Sequence, residues 1–299
     1  MNYLTVLYPS KMNLFFKKKR YELAFIEAVH GSKISDCKWV VHKVINPYRK
    51  EKWFADPFIL DYNDNEIIVL VEEMDFTINR GRLAKLIINR SDYIIKDLKI
   101  LHDLDTHLSF PAIERIGNEV YVYPENSDSG KLCIYKYNDQ DDKLECMQIL
   151  VNEPLTDTIM RTVDGRKYLF STKKPDPNGK HLYIYKNVND KFENFQIVTF
   201  TDFSARSAGD WFFEENSWIR PAQDCNGYYG IGLVFQKVIY ENGLFRFEEI
   251  NRIKHPSGYD GLHTFNKYKE ICVIDYRKPL YPFIYYPCKF VIDIIHKIL

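Results

Sequence analysis

The sequence has no long hydrophobic run. No stretch reaches the roughly 18 consecutive apolar residues that a membrane-spanning helix needs, although hydrophobic residues make up 45% of the 299. Excess charge is also missing. Lys and Arg number 41 and Asp and Glu 41, a formal net charge of +0, which excludes a generic polyanion binder and with it a nucleic-acid partner. Six cysteines (Cys37, Cys133, Cys146, Cys225, Cys272 and Cys288) fall without a CxxC pair, so neither a zinc site nor a disulfide framework is signalled. Free thiols in a reducing compartment are expected. The basic run Lys17 to Arg20 follows an apolar stretch, the reverse of a secretory signal, and no small-residue cleavage site comes after it; the reading is a cytoplasmic protein. Alanine is scarce. What abounds is aromatic: 22 Tyr, 20 Phe and 4 Trp, 15% of the chain, together with frequent Ile and Val, a composition that favours strands.

One pattern recurs along the chain: a polar or Pro-containing start, an alternating strand, a tight turn, a strongly apolar strand, a loop, and a further Tyr-rich or Ile-rich strand. Five copies are legible. They begin at Phe54-Ala55-Asp56-Pro57-Phe58, Leu108-Ser109-Phe110-Pro111, Thr156-Asp157-Thr158, Ser217 to Asp224, and Gly261-Leu262-His263-Thr264-Phe265. Turn dipeptides such as Asp164-Gly165 and Asn226-Gly227 supply the positive φ of tight hairpins, so each unit reads as a β-meander. Residues 33–278 divide into about 49 residues per unit, near the repeat of propeller blades. The predicted fold is all-β, a five-bladed β-propeller over 23–278, with an N-terminal extension over 1–22 and a short amphipathic C-terminal helix within 279–299. An irregular β-sandwich with chance hairpins is the competing architecture.

In a propeller the first strand of each blade lines a central channel. The equivalent positions here are Asp56, Phe110 with Pro111, Asp157, Arg220 and His263. Burying unpaired charge is costly, so four polar groups at matching points of different blades imply a use. Glu73 and Glu125 end second strands and could lean over the same mouth, while Asp224 follows Arg220 closely enough to share its site. Plainer readings stand beside these. Asp56 before Pro57 suits a turn former, Glu72-Glu73 puts one carboxylate on each face, Asp157 could cap a turn, and His263 could be a satisfied core histidine. Arg220 is harder to dismiss, since an inward Arg normally faces a carboxylate or phosphate. Trp53, Trp211 and Trp218 could stack on sugar rings, or pack between blades.

The segments Phe54-Ala55-Asp56-Pro57-Phe58, Leu108-Ser109-Phe110-Pro111, Pro124-Glu125-Asn126, Asp157-Thr158, Arg206-Ser207-Ala208-Gly209, Arg220-Pro221-Ala222-Gln223-Asp224 and Gly261-Leu262-His263-Thr264 resemble the N-terminal domain of plant glucosamine inositolphosphorylceramide transferase and its stand-alone bacterial relatives, over about residues 22–278. That family is similar in turn to five-bladed propeller glycoside hydrolases such as arabinanases and invertases. The resemblance implies acidic centres at Asp56, Asp157 and either Glu125 or Asp224, and it makes His263 the match for a blade-five histidine that helps hold a central water or ion in some of those hydrolases. Fold alone does not imply hydrolysis.

Three readings follow. The first is a sugar transferase of bacterial surface-glycan biosynthesis, of capsule or O-antigen type, with Asp56, Asp157 and Glu125 as catalytic carboxylates and Arg220, Asp224, Arg206, His263, Glu73 and Trp218 binding substrate. Its partners are an activated sugar donor, whose phosphate Arg220 and Arg206 would hold, and a glycan or lipid-linked acceptor. No cofactor and no resident metal is expected, and no GxGxxG or paired-Asp metal motif is present. The second is a glycosidase, inverting if its two carboxylates stand roughly 6.5 to 9.5 Å apart. The third is a glycan-binding propeller without turnover. The tail Cys288 to Leu299 puts Lys289, Asp293, His296 and Lys297 on one helical stripe opposite a broad apolar face. It suits an interfacial helix docking the enzyme at the inner face of a membrane, or a helix capping the propeller.

Overall fold

The computed structural model describes residues 19–279. Its first two strands, β1 (Lys19–Ala28) and β2 (Trp39–Lys43), precede four blades of consecutive strands. Blade one comprises β3 (Lys52–Tyr62), β4 (Glu66–Asp75), β5 (Gly81–Asn89) and β6 (Ile95–His102). Blade two comprises β7 (Ser109–Ile116), β8 (Glu119–Glu125), β9 (Leu132–Asn138) and β10 (Lys143–Val151). Blade three comprises β11 (Leu155–Val163), β12 (Arg166–Lys173), β13 (His181–Val188) and β14 (Lys191–Thr199). Blade four comprises β15 (Phe212–Glu214), β16 (Ser217–Asp224), β17 (Gly232–Glu241) and β18 (Leu244–Lys254). Blade five starts with β19 (Gly261–Tyr268) and β20 (Ile271–Pro279) and is completed by β1 and then β2. The fold is a five-bladed β-propeller.

The alternation of side chains explains why these strands read as nearly continuous apolar runs. In β4 and β5, Ile67, Val69, Val71, Ala84, Leu86 and Ile88 face blade five, packing with Leu23, Phe25 and Val273. Leu70 and Leu83 point the other way, into the cluster that holds Ala112, Val122 and Tyr123 of blade two. Each blade therefore buries both faces, as parallel sheets do in other folds, and the aromatic excess fills the wedges between blades. Phe170, for example, meets Phe245 edge-on with centroids 4.9 Å apart. Cys37, Cys133, Cys146, Cys225 and Cys272 are free thiols.

Two boundaries differ from the sequence expectation. Lys19 to Glu22, assigned to an N-terminal extension, already lie in β1, paired residue for residue with β20 from Lys19↔Pro279 onward. Blade one accordingly begins at Lys52, and β1 and β2 belong to blade five. In blade four Ser217 to Asp224 is the second strand. The inner edge is a segment that pairs with it through Gln223 N–H to Arg206 O, 2.9 Å, Ala208 N–H to Pro221 O, 3.0 Å, and β15. That edge is rich in Ser, Gly and Asp and lacks the apolar alternation that marks a strand. The C-terminal helix lies outside the described residues.

Candidate active site

The inner strands share one irregularity. Their ladders slip between Ala55 and Phe58, between Ser109 and Ala112, between Thr156 and Ile159, and between Leu262 and Thr264. These bulges fall on the repeat-equivalent residues Asp56, Phe110, Asp157 and His263. Asp56, Phe110 and Asp157 take positive φ of 50°, 46° and 45°, a conformation that costs a non-glycine residue and persists where its surroundings enforce it. A bulge releases an N–H from the ladder, and here each released donor meets a carboxylate. Asp56 N–H donates to Asp275 Oδ2 at 3.0 Å, Phe110 N–H to Asp56 Oδ2 at 3.1 Å, Asp157 N–H to Glu125 Oε2 at 3.1 Å, and His263 N–H to Asp275 Oδ1 at 3.4 Å.

Two linked groups result. In the first, His263 Nδ1 lies 2.6 Å from Asp275 Oδ1 and its Nε2 3.5 Å from Asp56 Oδ1. Tyr21 stacks on the imidazole with centroids 4.6 Å apart, and Tyr229 meets it edge-on at 5.4 Å. Burial and the nearby charges of Glu72, Asp157 and Asp275 raise the Asp56 carboxyl well above its ordinary range. Asp56, His263 and Asp275 are the residues that could hold a cation, with ligand atoms within 4.8 Å of one another. Several of their acceptor positions are already committed: Asp56 Oδ2 accepts from Phe110 N–H, and Asp275 accepts from the N–H groups of Asp56, His263 and Thr264 as well as facing His263 Nδ1.

In the second group Arg206 bridges two carboxylates, donating from Nε to Asp157 Oδ2 at 2.6 Å and from Nη2 to Glu125 Oε2 at 3.2 Å. Its Nη1 donates to Asn178 Oδ1 at 3.0 Å, and its guanidinium lies 5.0 Å from the Tyr229 ring centroid. Gln223 Nε2 also donates to Asp157 Oδ2, at 2.6 Å, and Ser127 Oγ donates to Glu125 Oε1 at 2.9 Å. Burial pushes the Glu125 carboxyl up to about 8 despite Arg206, with the Asp157 charge adding to the rise. Gln223 Oε1, Asn126 Oδ1 and Thr264 Oγ1 are buried with no hydrogen-bond partner among the described residues. Such atoms cost about 1 to 3 kcal/mol each unless a ligand or water meets them.

The structure thus brings together Asp56, Asp157, Glu125, Arg206 and His263. It sends four other expected site residues elsewhere. Glu73 turns to the opposite face of β4, where Arg82 binds it with both Nε and Nη2 and Lys52 adds a third contact at 3.0 Å; its neighbour Glu72 pairs instead with His107 at 3.3 Å. Asp224 binds Arg252 at 2.9 Å and Asn226. Trp218 is 45% exposed and packs edge-on against Phe213. Arg220 is wholly buried, donating to Gln236 Oε1 at 2.6 Å, to Ala205 O and to Ser207 Oγ, with Phe247 under its guanidinium. These partners hold it inside blade four and away from the cluster, and burial pulls its pKa below the usual guanidinium range.

Asp275, Gln223, Tyr21 and Tyr229 were not among the expected site residues, although Gln223 lies within the Arg220 to Asp224 motif. Asp275 had a signal: it is the lone carboxylate closing the apolar run Ile271-Cys272-Val273-Ile274.

A family model described as glucosamine inositolphosphorylceramide transferase 1, N-terminal, matches residues 12–254. The chain belongs to this family. Curated relatives named glucosamine inositolphosphorylceramide transferase 1 are 24% identical to it, over 246 residues in Oryza sativa subsp. indica and over 203 in Arabidopsis thaliana. These alignments cover 76% and 62% of this chain but 32% and 25% of the relatives, so the chain spans about a third or less of their length. Among solved structures, a GH43 β-1,3-galactosidase with galactodeoxynojirimycin superposes with a TM-score of 0.54 at 8% identity, covering 75% of this chain and 85% of that one. The Bacteroides ovatus xyloglucan PUL GH43B gives 0.50 at 12% identity, covering 68% and 45%. At such identities the likeness is one of fold.

Proposed function

We propose that this family member is a carbohydrate-active enzyme that transfers a sugar from an activated donor to a glycan or lipid-linked acceptor. The reading rests on one observation, the Glu125–Arg206–Asp157 arrangement at the bulged inner strands. A carboxyl held near 8 can exchange a proton at neutral pH, and Glu125 is assigned that role on the acceptor hydroxyl. Asp157, fixed by Arg206 and Gln223, presents negative charge where the sugar ring becomes positive on the way to product. Asp56 with His263 and Asp275, and the unpartnered amide and hydroxyl oxygens nearby, suit sugar hydroxyls, which both donate and accept. The relatives' printed name supports transfer, and the expectations of surface-glycan synthesis, cytoplasmic location and membrane-edge docking belong to this same reading.

Hydrolysis is the second reading. It is favoured by one feature of the site: the funnel arginine, Arg206, is already shared between two carboxylates and is not free to hold a donor phosphate. The deciding experiment incubates the protein with activated sugar donors, lipid-mimetic acceptors and simple glycosides, following transfer product and free sugar by mass spectrometry. Transfer product that disappears in Asp157→Asn and Glu125→Gln supports the proposal. Free sugar released from glycosides without transfer moves the protein to the hydrolases, and glycan binding without either product overturns both.

A further inference from the structure

The funnel holds acceptors in excess of free donors. Arg206 gives its N–H groups to Asp157, Glu125 and Asn178, Gln223 Nε2 donates to Asp157 and to Ser207 O, and Ser127 Oγ donates to Glu125. Gln223 Oε1 and Asn126 Oδ1, left without partners, are acceptors, and Thr264 Oγ1 belongs to a fully buried residue. A sugar brings oxygens that need donors as well as hydroxyls that give them. An uncommitted donor stands at the mouth on Tyr229. Arg206, Glu125 and Tyr229 are partly exposed and form the accessible layer of the site, while Asp56, Asp157 and His263 lie deeper, each at most 5% exposed. Among the described residues the Tyr229 ring meets His263 edge-on at 5.4 Å and lies 5.0 and 5.9 Å from the Arg206 and Arg277 guanidinium carbons, and its hydroxyl takes part in no hydrogen bond. Arg206, Tyr21, Asp157 and Asp56 all act electrostatically on its phenol, which places it between the two linked groups.

The backbone around this ring is fixed from both sides. Arg277 Nη1 donates to Tyr229 O at 2.6 Å, Leu262 N–H to Gly230 O at 3.0 Å, and Ile231 N–H to Asp224 O at 2.9 Å. Gly230 takes a φ of +61°, and a Cβ there would stand 2.6 Å from His263 Cβ, so glycine is what lets the loop press Tyr229 against the imidazole. The ring is thus positioned before any ligand arrives, as a specific contact requires. We propose that the Tyr229 hydroxyl donates a hydrogen bond to one sugar oxygen in the funnel and thereby selects which sugar is accepted. Burial, opposed by Arg206 and aided by the charges of Asp157 and Asp56, holds the phenol's proton well above the ordinary tyrosine range, so the group works as a neutral donor and not as a phenolate nucleophile. A site built to hydrogen-bond one oxygen rejects the analogue that lacks it, because polar groups are then left unpaired. The inference rests on the carbohydrate reading of the funnel.

The test is nuclear magnetic resonance on the full chain with ring-labelled tyrosine, in which the Tyr229 signal is the one missing from Tyr229→Phe. The probes are methyl glycosides of common hexoses and pentoses and their monodeoxy analogues. For a glycoside that binds, the Tyr229 signal is expected to shift saturably. Tyr229→Phe keeps the ring on His263 and Arg206, so its melting midpoint should be unchanged while its affinity falls about fivefold to tenfold, the worth of one neutral hydrogen bond. One monodeoxy analogue should bind wild type and variant equally, since the contact is absent from both, a result that a ring serving only as packing would not give. Equal affinity of wild type and Tyr229→Phe for a bound glycoside, or a loss that no deoxy analogue equalises, overturns the inference and leaves the carbohydrate reading standing. A wild type that binds no glycoside and yields no sugar product overturns that reading and the inference with it.

Discussion

At the scale of single residues, the site depends on who holds each carboxylate. Glu125 carries its proton to about 8 in the folded chain against an ordinary value of 4.5. The native state thus binds this proton more tightly than the unfolded one, so the stability it confers is full below about 4.5 and is lost as pH rises through about 8. Asp56, raised in the same direction, adds to the trend. Thermal melts across that window should show the wild-type midpoint falling with pH and Glu125→Gln falling less. In a transfer assay Glu125→Gln should lower kcat roughly 100-fold to 10,000-fold, the usual worth of a proton-transfer group. Arg206→Met should cost about 3 kcal/mol or more at pH 8, because it leaves two buried carboxylates without their cation. Denaturant unfolding at pH 5, where Glu125 is neutral, should recover part of that loss. Residue types at the bulges made Asp56, Asp157 and His263 legible in the sequence. Glu72 and Glu73 were not separable, because a strand's period of two says that they part ways without saying which face is the funnel.

At the scale of elements, the repeated device is the bulge on the inner strand, and the fourth blade builds its version differently. There the inner edge bends at Gly209, where a Cβ would stand 1.8 Å from Phe265 O of the next blade. Phe265 N–H also donates to Ala208 O at 2.8 Å, so this is where blade four is stitched to blade five. Gly209→Ala should therefore cost roughly 3 kcal/mol and lower the melting midpoint by about 5 to 10 °C, as differential scanning calorimetry would measure. The meander pattern was readable wherever apolar alternation and Asn-Gly or Asp-Gly turns marked it. It failed at the inner edge of blade four, whose Ser204 to Gly209 stretch pairs through backbone groups and carries few of the side chains by which a strand is recognised, and the error displaced Arg220 from its true position.

For the whole molecule, the five-blade count followed from the repeat length, whereas the manner of closure did not. Strand β1 gives little sign of its destination, since its partner β20 lies some 250 residues away in the chain, and β2 reaches the blade only through β1. Four consecutive β1 residues, Leu23 to Ile26, are at most 4% exposed. Phe25→Ala should cost about 3 to 5 kcal/mol, measurable by denaturant titration. Removing residues 1–28 should leave blade five with two strands and an open edge, and the product should aggregate where the full chain stays monodisperse in gel filtration.

That closure also sets the order of events during synthesis. Blades one to four can each form as they emerge, because their strands are neighbours in sequence. Strand β1 must wait for β20, and a contact of such long range is slow to form. Tyr21, His263 and Asp275 come together only at that step, so a chain on the ribosome carries Glu125, Asp157 and Arg206 well before it has a complete funnel. The site is then completed in a single late docking event, once β20 can close on β1.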